Sequence, residues 1–102
     1  MTTMVIGVLQ VQLTIDWAQS LKDKRRVVSS IKDRLHREHQ VSVAEVGMPD
    51  CHRTAILGVA VASNNAARCQ SVLDHVVNKI RHHRQCVLSD HVTEILTAGD
   101  GK

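Results

Sequence analysis

The sequence predicts an α+β domain, a four-stranded antiparallel sheet with two helices on one face. Three observations lead there. Two segments carry apolar residues at helical spacing, four read as strands, and each helical segment stands between two strand segments, giving the order β-α-β-β-α-β.

Residues 4–15, MVIGVLQVQLTI, alternate: Leu9, Val11, Leu13 and Ile15 fall on one face, Gln10, Gln12 and Thr14 on the other. This is a strand with one buried side. After a short loop, Ser20 is a suitable N-cap, with Asp23 three positions on in a capping-box-like relation. Leu21, Val27, Val28, Ile31 and Leu35 then predict an amphipathic helix over 21–39. VSVAEVG, residues 41–47, reads as a second strand, and Gly47-Met48-Pro49-Asp50 as a turn. TAILGVAVAS, residues 54–63, is apolar on both faces and therefore central. Ser63-Asn64-Asn65 offers caps for a second helix over 65–83, with Ala66, Cys69, Leu73, Val76, Val77 and Ile80 inward. CVLSDHVTEIL, residues 86–96, alternates more loosely as the last strand, and 97–102 is expected to be a C-terminal tail. This order is the ferredoxin-like split βαβ, with right-handed crossovers. The name concerns topology alone, since no iron–sulfur ligand pattern is present.

At 102 residues the chain is expected to be a single domain spanning 1–102 and ordered over about 4–96, with one core. Apolar and charged residues, 43% and 23%, are in the proportion of a globular rather than a disordered chain. The apolar runs are too short to span a bilayer, and Met-Thr-Thr-Met lacks the basic start of a signal peptide, so no membrane partner and a cytoplasmic location are expected. One Trp with no Tyr and no Phe leaves an aliphatic core and argues against RNA-binding modes that stack bases on aromatic rings. Three cysteines without a secretion signal read as free thiols.

Charge is concentrated. Residues 20–40 hold seven Lys/Arg against three acids, a net of +4, whereas the whole chain carries +3. On a helical wheel, Lys22, Arg26 and Arg37 lie opposite the apolar stripe, with Asp33 interrupting them, and Arg25 and Lys32 line a flank. Lys24 falls inside the apolar sector, where its stem can pack while its ammonium reaches beyond the first turn. The plain reading is a solvated helix face. Against it stands Lys24-Arg25-Arg26 at the start of the helix, where cations oppose the macrodipole by about 0.3–1 kcal/mol each. An anionic partner would reverse that cost. The candidate nucleic-acid contacts are therefore Lys22, Lys24, Arg25, Arg26, Lys32 and Arg37, to phosphates and without DNA sequence reading.

No metal ligands are expected from His82, His83, Cys86, Cys51 and His52, because no CxxC or HxxxH pair occurs. No cofactor and no catalytic residue is expected either. Asp90-His91 are neighbours on a strand and point to opposite faces. Trp17 is expected to plug the end of the core; its alternative role is a single stacking or contact residue beside Lys22 and Arg25. The uncovered sheet face should hold Ile6, Val8, Gln10, Gln12, Ile56, Gly58, Ala60 and Ala62, joined by Ala44 and Val46. Such a patch can support a homodimer through the sheet.

The stretches Val5-Ile6-Gly7-Val8-Leu9, Ser20-Leu21-Lys22-Asp23-Lys24-Arg25-Arg26-Val27, Ser30-Ile31-Lys32-Asp33-Arg34-Leu35, Val41 to Val46 and Leu57 to Val61 resemble the YlxP-like family of small bacterial proteins of unknown function. The resemblance runs from about residue 4 to 96 and departs from the family pattern at 47–54 and 82–91. It implies a ferredoxin-like fold. It also implies, from gene neighbourhoods rich in translation and ribosome-maturation genes, a partner in ribosomal RNA or a ribosomal protein. The expected function is a non-enzymatic accessory factor binding RNA or a ribonucleoprotein surface; the alternative is a dimeric interaction or regulatory module using the open sheet.

Overall fold

A computed structural model describes residues 3–98. The elements are β1 (Met4–Thr14), α1 (Leu21–His39), β2 (Ser42–Gly47), β3 (Thr54–Ser63), α2 (Ala66–Arg81) and β4 (Val87–Ala98). The sheet order is β2-β3-β1-β4, and every neighbouring pair is antiparallel. This is the ferredoxin-like split βαβ. α1 keeps the boundaries its apolar spacing predicts, while α2 is a residue shorter at its start and two at its end.

The helices cover the odd-numbered face of β1 and β3. Leu9, Val11, Leu13, Ile15, Leu57 and Val59 meet Val27, Ile31 and Leu35 of α1 and Leu73, Val76 and Ile80 of α2 in one aliphatic core. Gly7 permits the close approach of α2: a Cβ there would stand 2.9 Å from Leu73 Cδ1 and 3.1 Å from Cys69 Cβ. Ser20 caps α1, its Oγ accepting from Asp23 N at 3.1 Å, while Asp23 Oδ2 accepts from Gln19 N at 2.9 Å. The Ser20 half of a capping box is thus present, while the Asp23 carboxylate reaches one residue further back, to the amide before the N-cap. At the other end Gln40 closes the helix in the left-handed region, φ 54°, donating its N–H to His36 O.

β4 corrects the expected tail. The strand continues through Thr97 and Ala98, which pair with Val5 and Met4, because β1 is long enough to offer them ladder partners. Residues 99–102 lie outside the described residues. The loose alternation of β4 also has a cause. Its register with β1 shifts between Gln12 and Leu13, leaving Ser89 as the extra residue. The Ser89 hydroxyl donates to Gln12 O at 3.0 Å and so satisfies the bulge locally.

Candidate nucleic-acid interface

The topology brings three connections to one end of the domain. Thr14 of β1 pairs with Thr54 of β3 and Val87 of β4. The β1–α1 loop, the β2–β3 hairpin and the α2–β4 loop are therefore neighbours, and the start of α1 stands among them. Three contacts tie them together: Ile15 N donates to Arg53 O at 2.8 Å, Arg53 Nε donates to Ala18 O at 3.0 Å, and Trp17 Nε1 donates to Gln85 O at 2.7 Å.

Of the six basic residues proposed from sequence, Lys22, Arg25, Arg26 and Arg37 are exposed along α1 and Lys32 is half-buried. Lys24 is not available. It is only 1% exposed, and its Nζ stands 2.8 Å from Glu45 Oε2 while donating to Met48 O at 2.8 Å, Thr54 O at 3.1 Å and Pro49 O at 3.4 Å. The Glu45 contact is a charge contact rather than an aligned hydrogen bond, since Oε2 has no hydrogen-bonded partner. Lys24 is therefore removed from the set of phosphate contacts. Its place in the apolar sector buries the stem, and the ammonium must find its partners inside the protein. It pins the hairpin to the helix.

The other basic residues of the helix layer are partly engaged. Glu38 joins the two helices, receiving Lys79 Nζ at 2.7 Å and lying 3.8 Å from Arg34 Nε. The hydrogen bond from Lys79 holds the Glu38 carboxyl below its ordinary pKa. Burial, with Lys79 nearby, lowers the His39 imidazole, and burial with Arg34 nearby lowers His83.

Trp17 also departs from expectation. It does not plug the core; it is 43% exposed. Ile15 and Ala18 close that end of the core, both fully buried, and Ala18 N donates to Ile15 O across a tight turn that carries residue 17 outward. Arg53 and Arg84, which the sequence reading passed over, are exposed at the same end. The strand order alone implied that the hairpin and the last loop would meet the start of α1, and that signal went unused.

The uncovered sheet face has the composition expected of it, with the addition of β4. Its rows are Ala62–Ile6–Leu96, Ala60–Val8–Glu94 and Gly58–Gln10–Val92. Ser42, Ala44 and Val46 extend it across β2, and a shallow groove of about 480 Å³ runs over Val8, Ala44, Val46, Ala60 and Val92. Val92 is 63% and Val46 56% exposed. A Cβ on Gly58 would lie 3.0 Å from Val46 Cγ1, so the glycine sets the depth of the groove.

The remaining candidates do not converge. Asp90 lies opposite Gln12 on the open face and His91 opposite Val11 on the other, with His91 Nε2 3.5 Å from Arg81 Nη2. Among the described residues no three His, Cys, Asp or Glu side chains are placed to hold a metal ion, and no helix is long and apolar enough to cross a membrane. The three cysteines are free. Burial raises the Cys86 thiol, while hydrogen bonds from the Arg53 N–H and the Thr54 hydroxyl lower that of Cys51.

Comparison with known proteins places these features in a family. A family profile described as "Protein of unknown function (DUF503)" matches residues 6–93. The chain belongs to that family. It is 30% identical over 73 residues to the "Uncharacterized protein YlxP" of Bacillus subtilis (strain 168), covering 72% of this chain and 79% of that protein. The family name assigns no activity, and the matched span includes all of α1 and the three connections at its end of the domain. Two designed proteins show structural likeness. One is the de novo designed protein Foldit4, at a TM-score of 0.49 and 13% identity over 92% of this chain and 94% of that one. The other is a de novo designed protein with ferredoxin fold, LFR1 1, at a TM-score of 0.44 and 14% identity over 96% and 86%.

Proposed function

We propose that this protein is a non-enzymatic accessory factor that docks on RNA or a ribonucleoprotein surface in ribosome assembly or translation, through the outward face of α1. The observation that carries this reading is the set of five one-signed side chains, Lys22, Arg25, Arg26, Lys32 and Arg37, that remain on the helix surface once Lys24 is withdrawn into the fold. Within the first turn of α1 the Ser20 hydroxyl takes the Asp23 amide, and the attraction argued here rests on the side-chain cations. Phosphate contacts of this kind fix position without reading sequence. With about four or five of them on duplex RNA, the logarithm of affinity falls with the logarithm of salt at a slope near −4. The test is sedimentation of the tagged protein with cell lysate at low and raised salt. Co-migration with a ribosomal subunit or its precursor, released by salt and lost in the Arg25→Glu/Arg26→Glu variant, supports the reading. Migration as a free protein under both conditions counts against it.

A second reading rests on the open sheet, where Val92, Val46 and Leu96 are exposed around the groove. Here the protein is a homodimeric interaction or regulatory module. Light scattering after gel filtration separates the two: on this reading Ile56→Glu dissociates a dimer and Arg25→Glu/Arg26→Glu leaves it intact.

A further inference from the structure

We propose that the exposed indole of Trp17 is a stacking platform for one unpaired RNA base, flanked by cations that the fold gathers from separate connections. This rests on the RNA reading above and names its ligand as an unpaired nucleotide with its neighbouring phosphates. The aromatic count argues against modes that stack bases on aromatic rings, a multi-base platform on the sheet above all, and the Trp17 platform is confined to a single base. That count does not exclude one base on one ring.

Four observations bear on the ring. Trp17 is the only Trp, Tyr or Phe of the chain, and the core closes without it, on Ile15 and Ala18. At 43% exposure it leaves a large part of the ring in water, an arrangement that core stability does not require. Its one polar atom is already satisfied, since Nε1 donates to Gln85 O at 2.7 Å. That bond holds the ring by its N–H edge and does not draw on its π surface, so part of the ordering is done before binding. Lastly, the surroundings are charged and mainly of one sign. Arg53 is bonded to the carbonyl of the next residue, Arg84 precedes Gln85, and Lys22 and Arg25 occupy the first turns of α1. Among the described residues no ion pair engages any of these four. Asp16, Asp23 and Asp50 are the acids in the same region, and Asp23 is held by the Gln19 amide. A ring set among unpaired guanidinium and ammonium groups matches a base with its flanking phosphates. An apolar protein anchor would instead sit among apolar neighbours.

The lone tryptophan makes the test direct, because intrinsic emission reports on this site alone. The probes are an oligoadenylate of about 12 nucleotides, spanning the usual site size of a single small domain, and inorganic polyphosphate as a polyanion without bases. Oligoadenylate is expected to quench Trp17 emission, and polyphosphate to bind without quenching it. In isothermal titration calorimetry, which needs no tryptophan, Trp17→Ala is expected to weaken oligoadenylate binding by about 5- to 150-fold, the worth of one stacked base, and to leave polyphosphate binding unchanged. Trp17→Phe, which loses the bond to Gln85 O but keeps a ring, should retain most of the affinity. Equal oligoadenylate affinity for the wild type and Trp17→Ala overturns the platform, as does equal loss in Trp17→Phe and Trp17→Ala. In both cases binding that still disappears with Arg25→Glu/Arg26→Glu leaves the RNA reading standing. Binding to neither polyanion overturns both.

Discussion

Replacing Lys24 with Met tests the assignment of that side chain to the fold. Methionine preserves the buried stem and deletes only the ammonium. The ammonium donates to Met48 O at 2.8 Å and Thr54 O at 3.1 Å, with Pro49 O at 3.4 Å, and makes a charge contact with Glu45 Oε2 at 2.8 Å. Loss of these contacts strands a carboxylate and the carbonyls in a site where the lysine itself is 1% exposed. Breaking a buried pair from one side costs about 3–5 kcal/mol. The Glu45 side chain is 24% exposed, so water recovers part of that. A loss of about 2–4 kcal/mol is expected, a large share of the roughly 5–15 kcal/mol total of a small domain. Urea unfolding followed by circular dichroism measures it. Lys24→Met/Glu45→Gln should lose less than the two single changes added together, by about 0.5–3 kcal/mol. A loss in Lys24→Met below about 0.5 kcal/mol, the range of an ordinary surface change, would refute the reasoning. The ammonium would then be in water and back among the candidate phosphate contacts.

Three further outcomes follow from local geometry. Gln40→Gly should stabilise the protein by about 0.5–1 kcal/mol, since relief of the left-handed strain at φ 54° exceeds the added chain entropy; a fall in melting temperature would contradict it. His39 and His83 have folded-state pKa values below the ordinary imidazole value of 6.5, so the fold favours their neutral forms. Their contribution is present above that value and is lost as pH falls through the folded pKa values, because the unfolded chain takes up protons first. The urea midpoint should therefore drop below pH 6.5, and less steeply in His39→Gln/His83→Gln than in the wild type. With iodoacetamide at neutral pH, Cys51 should be alkylated well ahead of Cys69 and Cys86, which are buried; faster labelling of Cys86 would show that the α2–β4 loop opens.

Much of the fold was legible because local rules and the global arrangement agree. Leu21 to Leu35 carries one apolar stripe, interrupted by Lys24 alone, Ser20 and Asp23 mark its start, and the helix begins where they place it. β3 is apolar on both faces and is central. β4 was read less well because a bulge at Ser89 breaks its period of two, and because pairing with the far end of β1 extends it past its apolar residues. The candidate interface was legible only in part. A wheel separates Lys24 from its neighbours but cannot find Glu45 or the hairpin carbonyls it reaches, which lie more than 20 positions along the chain.

The sequence by itself determined the elements, their order, the aliphatic core and the concentration of positive charge between residues 20 and 40. Each depends on neighbours a few residues apart, and the spacing of apolar and charged side chains records it. Tertiary structure alone decided which cations are free and where the one aromatic ring faces. Lys24 went inward because a carboxylate and backbone carbonyls from another element converge on its first turn. Trp17 stands outward on a turn whose flanking residues, Ile15 and Ala18, are the buried ones, and Gln85, 68 positions away, supplies a carbonyl for its N–H. Those outcomes depend on contacts between elements, and the order of residues along one element does not encode them.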